Sequence, residues 1–472
     1  MPTIANFPRK LPLLSFMLSL IFHFSASAQI SQDSLSTGHL LDAAEEYWPA
    51  VSDTVKQNFF QQLKHMPVNK TKGFVSIGGS LREGYEIFDN YLWGMDKRDN
   101  DGYLLHRLLL HTDFRWNSSF RIFSEIENSL VMGRNGGPRP VQDENKLAIN
   151  QVFAEYSAKA SKNTGIKIRL GKQALSYGIG TLLDVRDANV RLSFAGGKLI
   201  INHNKTRVDA FFMKAIKNNQ GFLDDEVNHS QKIAGVWMTR PMSKGFLNKI
   251  DAYYIHTSRK DPYFKQVKGN ESRNTVGASI WSSFENVSGY TEADFQWGRF
   301  NNKHIVAWKV VQAVFYKAES IKFKPVISVH FAVSSGDQNP EDGKVQTFSP
   351  LYPKAIFYGY IDNAGSSNIM VIHEKLETTL TPKLKLTLGY YNYWRESNSD
   401  GVYFANGNLL FSSSNKEKKL AEMYDLNLSF TANDHFSVQL ISSYARRAGF
   451  LKLHPVSTGN ISYTGIRTNI FF

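Results

Sequence analysis

Arg121, Arg169, Lys172, Arg186 and Arg191 alternate with Glu125, Glu155, Asp184 and Asp187 in one stretch of a 472-residue chain. The chemistry open to such a set is anion recognition. A guanidinium donates two parallel hydrogen bonds to a carboxylate and stays charged at any relevant pH. Cations along a narrow path lower the barrier for an entering anion, and interspersed acids keep each site weak enough to release it. We read the five cations as a basic wall and the four acids as its counter-charges. The plainer alternative is an internal ion-pair network that holds loops in place.

Other chemistries find less support. The chain has no cysteine, which excludes disulfides, thiolate metal sites, a Cys nucleophile and lipid attachment through a Cys after a leader. Its 13 His residues form no H-E-x-x-H pattern. Ser176 and Ser193 stand outside any G-x-S-x-G setting. Asp337-Gln338-Asn339-Pro340-Glu341-Asp342-Gly343 resembles a calcium loop. Its Gly comes one place late, however, and Phe348 stands where a bidentate acid is required. These residue types also make turns. We therefore expect no catalytic set, no metal and no cofactor. The formal charge of +13 asks for an anionic partner. Nucleic acid does not suit an exported chain, which leaves lipopolysaccharide phosphates or an anionic solute.

Export is written at the start. Arg9 and Lys10 precede an apolar run from Leu11 to Phe24, and Ala26-Ser27-Ala28 gives a small-x-small cleavage site. This is the form of a signal peptide over 1–28. The run is too short for a helix spanning about 30 Å of hydrocarbon. Residues 29–72 form a linker and a short arm. Leu40, Leu41, Ala44, Tyr47 and Trp48, then Val55, Phe59, Phe60 and Leu63 after Pro49, fall at helical spacing. The arm belongs in the periplasm or in the mouth of the barrel.

From residue 73 to 472 the period becomes 2. Leu104, Leu108, Leu110, Phe114 and Trp116 share one face of a strand, and Arg107, His111, Asp113 and Arg115 share the other. Phe120, Ile122 and Ile126 likewise oppose Arg121, Glu125 and Glu127. Charges in mid-strand suit a wet lumen better than a dry layer between sheets. About 18 such segments can be counted, joined by short turns such as Asn117-Ser118 and by long loops such as Gly336 to Gly359. Aromatics make up 13 % of the chain. Trp93, Trp116, Trp297 and Trp308 suit girdles at the two membrane interfaces. The last segment alternates and closes on Phe472, which resembles the signal read by the barrel assembly machinery. The expected fold is all-β: a transmembrane antiparallel β-barrel of about 18 strands with a short helical N-terminal periplasmic arm, in the outer membrane of a Gram-negative cell.

Several stretches resemble the alginate export family of outer-membrane porins. They are Met132-Gly133-Arg134-Asn135-Gly136-Gly137-Pro138, Arg169-Leu170-Gly171-Lys172-Gln173-Ala174-Leu175-Ser176-Tyr177-Gly178, Asp184-Val185-Arg186-Asp187, Asn189-Val190-Arg191 and Ser335-Gly336-Asp337-Gln338-Asn339-Pro340. Lys172 replaces an expected Arg, and Leu192 and Ala195 replace an expected Arg and Asp. The resemblance implies an 18-stranded monomer with a constricted, arginine-lined lumen that passes an anionic polysaccharide such as alginate by passive diffusion. The alternatives are a porin of other specificity, a barrel enzyme acting on lipids or glycans, and an anchor for other envelope proteins. The remaining expected partners are outer-membrane lipid, lipopolysaccharide and the assembly machinery.

Overall fold

The computed structural model describes residues 39–46, 48, 59–68, 73–95, 102–139, 141–242, 245–260, 263–264, 267–354, 358–361 and 365–472. The leader over 1–28, the linker up to Gly38, and the helical positions Tyr47, Pro49 and Val55 lie outside the described residues.

The period-2 segments become strands. The first six are β1 (Gly73–Asp89), β2 (Gly102–Arg115), β3 (Phe120–Met132), β4 (Asn145–Ser161), β5 (Thr164–Gln173) and β6 (Phe194–His203). Next come β7 (Thr206–Lys217), β8 (Gln231–Pro241), β9 (Leu247–Arg259), β10 (Glu271–Phe284), β11 (Val287–Phe300) and β12 (Lys303–Lys317). The last six are β13 (Val326–Ser334), β14 (Ile369–Thr381), β15 (Leu384–Trp394), β16 (Lys419–Asn433), β17 (Phe436–Arg447) and β18 (Ile461–Phe471). Each pairs antiparallel with its neighbours in sequence, and β18 returns to β1 with Ser80 opposite Phe471 and Asp89 opposite Ser462. All eighteen expected segments are present, with ends shifted by only a few residues. Closure satisfies every strand edge, which lipid requires because it offers no hydrogen bonds.

One rim carries tight turns, such as Lys162-Asn163, Asn204-Lys205 and Pro382-Lys383. The other carries the long connections 133–144, 174–193, 218–230, 335–368, 395–418 and 448–460. Outward side chains such as Leu104, Ile122, Leu170 and Val236 are exposed, as a lipid-facing surface demands. Trp116, Trp297 and Trp308 are among them, but Trp93 is not. Leu92 and Trp93 take left-handed backbone angles, φ 51 and 62, and Trp93 turns into an interior cluster with Phe88, Tyr358 and Tyr393. The girdle reading of Trp93 is therefore corrected.

The long connections fold inward and fill much of the lumen. Segments 174–193 and 335–354 meet inside it. Asp184 N donates to Tyr352 O at 3.0 Å, Tyr352 N to Leu182 O at 2.9 Å, and Lys354 N to Gly180 O at 2.7 Å. Leu175, Leu182, Leu183, Phe348 and Leu351 pack there against barrel residues Phe211, Trp237 and Tyr253. The loop over 337–343 uses its polar side chains on itself. Asp337 accepts from Asn339 N, Asn339 from Glu341 N and Asp342 from Lys344 N, which are turn contacts.

Ahead of the barrel, Ala43–Glu45 form one 3-10 turn capped by Asp42, and Phe59–Leu63 form a single helical turn. The 3-10 turn enters the short-turn mouth. Ala44 is 2 % exposed and packs on Phe123 and Phe153.

Candidate functional site

Two adjoining strands and one inward loop build a basic cluster. Arg82 on β1 stands opposite Arg107 on β2, and both point into the barrel. Segment 174–193 brings Asp187 and Arg191 to them. Arg107 Nη1 lies 3.0 Å from Asp187 Oδ1, Arg82 Nη1 lies 3.1 Å from it, and Arg191 Nη2 lies 3.5 Å from it. Three guanidiniums share this one carboxylate, and Glu127 beside them accepts from Arg191 N at 3.0 Å. Burial opposes ionisation of Asp187, but Arg82, Arg107 and Arg191 outweigh it and hold the carboxyl well below its usual range. Arg107 Nε and Arg191 Nε and Nη1 are buried and find no hydrogen-bond acceptor among the described residues. A cavity of about 270 Å³ opens against this cluster, with Arg467 and Glu125 also on its wall. Arg467 is answered by Glu86 at 2.8 Å.

The loop that delivers Asp187 depends on the motif around Arg169. Gly171 has φ 139, and a Cβ there would lie 2.2 Å from Val152 O, so only glycine lets β4 and β5 approach. Gly178, at φ 63, turns the chain inward. Ser176 Oγ then donates to Asp184 Oδ1 at 2.8 Å, and Tyr177 OH donates to Asp209 at 3.0 Å while its ring stacks on Trp237.

The nine sequence-derived residues fall into three groups. Arg191 and Asp187 belong to the cluster, and Glu125 shares its cavity while accepting from Asn150 Nδ2 at 2.6 Å. Arg121, Arg169 and Glu155 surround the arm. Arg121 bonds Asp113 at 2.7 Å and donates to Ala44 O at 2.8 Å. Arg169 lies 2.7 Å from Glu155 and 2.9 Å from Glu45. The others stand apart: Lys172 pairs with Asp225 at 3.0 Å, and Arg186 donates to Val141 O at 2.6 Å. Asp184 holds the loop through Ser176, and burial raises its carboxyl above the usual range. Sequence reasoning missed Arg82 and Arg467 and did not select Arg107. Arg107 lay on a polar strand face already, but its register against Arg82 is not visible in the sequence.

A second and wider space, about 1180 Å³, opens toward the short-turn rim beside β6 to β10. Its wall includes Lys198, Arg207, Asp209, Trp237, Lys249 and Trp281.

Residues 74–449 match the sequence pattern of the alginate export family. The chain belongs to the alginate export family. No curated relative matches it. Among solved structures it is similar to Acinetobacter baumannii OccAB1 at 12 % identity and a TM-score of 0.58, over 85 % of this chain and 98 % of that one. It is similar also to Pseudomonas aeruginosa OpdK bound to vanillate, at 11 % identity and a TM-score of 0.57, over 84 % and 98 %. Pseudomonas aeruginosa OccD3 (OpdP) follows at 10 % identity and a TM-score of 0.56, over 84 % and 91 %. These likenesses are of fold. With the family, they make this chain an outer-membrane barrel of porin type and point to a channel instead of an enzyme.

Proposed function

We propose that the protein is a passive channel for an anionic saccharide such as an alginate-like polyuronate, with Arg82, Arg107 and Arg191 as its selective constriction. The observation that carries this reading is the gathering of three guanidiniums on the single carboxylate of Asp187, with donor groups left without acceptors beside a cavity. A polyuronate carries one carboxylate per sugar. It would trade water for these donors step by step, and Asp187 would compete with it and keep each stop brief. Arg121, Lys172 and Arg186 would contribute only long-range charge, because each already has a fixed partner.

The test is the reversal potential of the purified protein in planar bilayers under a salt gradient. The wild type should prefer anions. Arg107→Gln with Arg191→Gln should reduce the anion-to-cation permeability ratio about tenfold, the effect of removing about 1.4 kcal/mol of favourable potential. A cation-selective wild type, or a ratio untouched by the double variant, would sink the proposal. A second reading is a small aromatic carboxylate, favoured by the vanillate bound in the fold neighbour OpdK. Vanillate blocking the current at lower concentration than oligogalacturonate would select it.

A further inference from the structure

The wide space at the short-turn rim contains a cation with no direct ion-pair partner among the described barrel residues. Lys198 is 6 % exposed and makes no ion pair among the described residues. Its neighbours on the wall are balanced within the barrel: Arg169 by Glu155 at 2.7 Å, and Arg207 by Asp209 at 2.7 Å. Asp209 is shared between Arg207 and Lys198, which leaves this part of the wall net positive. A further acid beside it comes from outside the barrel. Glu45, on the 3-10 turn of the arm, lines the same space and lies 2.9 Å from Arg169. Desolvation inside the lumen would raise the Glu45 carboxyl, but Arg169, Lys198 and Arg207 together hold it well below its usual range.

We propose that Arg169, Lys198 and Arg207 form a carboxylate-binding nest in the vestibule, and that Glu45 occupies it as an internal competitor of the transported anion. This rests on the anion-channel reading and adds a second station to it. The chemistry suits an exchangeable carboxylate. The Glu45 side chain is 41 % exposed, so an incoming anion can reach the nest beside it. The arm is held near Glu45 by few contacts. They include the Ala44 methyl on Phe123 and Phe153, Arg121 Nη2 to Ala44 O at 2.8 Å, and Gln151 Nε2 to Asp42 Oδ1 at 2.9 Å, with the arm anchored farther off by His39 on Phe471 and Lys64 on Phe472 O. The 3-10 turn itself is held by a buried methyl and two hydrogen bonds, so a polyanion with several carboxylates can shift it while the arm stays anchored at His39 and Lys64. The space beyond is large enough for a sugar unit and offers Lys249, lying over the Trp281 ring at 4.8 Å. Trp281 Nε1 has no acceptor among the described residues.

The test uses the full-length protein in planar bilayers with tri-galacturonate added on the short-turn side. Glu45→Gln weakens the competitor, so the half-blocking concentration should fall about threefold or more, as expected when a self-occupied site is freed. Lys198→Gln should raise it, and should shrink the effect of Glu45→Gln in the double variant. Equal half-blocking concentrations for wild type and Glu45→Gln would overturn the proposal, leaving the arm as a packing piece. A second readout exploits the absence of cysteine. Ala44→Cys should be shielded from a charged thiol reagent and labelled faster with tri-galacturonate, but not with neutral maltotriose. An unchanged labelling rate would likewise overturn it. Reversal potentials from the same membranes separate the two ideas: an anion-selective channel whose block ignores Glu45 loses the nest alone, whereas a cation-selective channel loses the underlying reading.

Discussion

Lys309 on β12 shows what a charge inside this barrel requires. Its ammonium lies 2.7 Å from Glu292 and 3.0 Å from Asp294, and all three side chains are sealed from water. Tyr253 OH donates to Asp294 at 2.6 Å, and Thr181 Oγ1 donates to Glu292. Such a group is tolerable only while complete, because breaking a buried pair costs about 3–5 kcal/mol. Lys309→Met should therefore lower the denaturation midpoint in detergent markedly, and adding Glu292→Gln with Asp294→Asn should restore most of the loss. If the single variant unfolds at the wild-type midpoint, the triad does not bear on stability. The contrast with Arg107 and Arg191 is instructive. Lys309 is enclosed by two counter-charges of its own, whereas those arginines share the single carboxylate of Asp187 on the wall of a cavity. Sequence spacing does not separate the two kinds of cation, since each sits at an inward strand or loop position. It suggested Arg121 and Arg169 as wall residues and passed over Arg82, because partners supplied by the arm and by cross-strand register appear only once the sheet is closed.

Strands and loops differ in how much the chain reveals of them. A strand with lipid on one side and lumen on the other must alternate, so β2, β3 and β5 could be read directly from Leu104 to Trp116, Phe120 to Glu127 and Ile166 to Leu170. The long connections carry no such constraint, and their inward course is set by tertiary contacts. Segment 395–418 is the clearest case. It is organised around Arg395, which is fully buried and donates to the carbonyls of Asp400 at 2.9 Å, Asn415 at 2.7 Å and Glu417 at 3.1 Å, and to Ser413 Oγ at 3.0 Å. Its guanidinium also covers the Phe450 ring at 4.0 Å. One side chain thus ties together the two ends of a segment whose middle carries a short ladder, Val402–Tyr403 against Leu409–Phe411. Arg395→Ala should leave the barrel intact and free this loop. Limited proteolysis in micelles should then cut within 395–418, while the wild type resists and the far-ultraviolet circular dichroism of both stays the same. Resistance of the variant to cleavage would show that Phe450 and the neighbouring loops hold the segment without Arg395.

At the scale of the whole molecule the decisive feature is the seam, where β1 meets β18 and residues far apart in the chain come together. Gly79 and Phe472 exchange backbone hydrogen bonds at 2.7 and 3.0 Å. Lys64 Nζ donates to Phe472 O at 2.9 Å, and His39 stacks on Phe471 with ring centroids 5.2 Å apart. The arm that carries Glu45 is therefore also tied to the closing strand. The seam has room for Phe472 because Gly78 and Gly79 lack side chains. A Cβ on Gly79 would lie 2.3 Å from Leu109 O and 2.9 Å from the Phe472 ring. Gly79→Val should wedge this corner open at a cost of about 1–3 kcal/mol, the usual range for overpacking. Because each strand is paired on both sides, the damage should stay near the seam. Hydrogen exchange should accelerate at Ser80–Asp89 and Ser462–Phe471, while the β9–β10 pairing on the far wall keeps its protection. Equal loss of protection on both walls would mean that the sheet opens only as a whole, and that the seam is no weaker than any other strand pair.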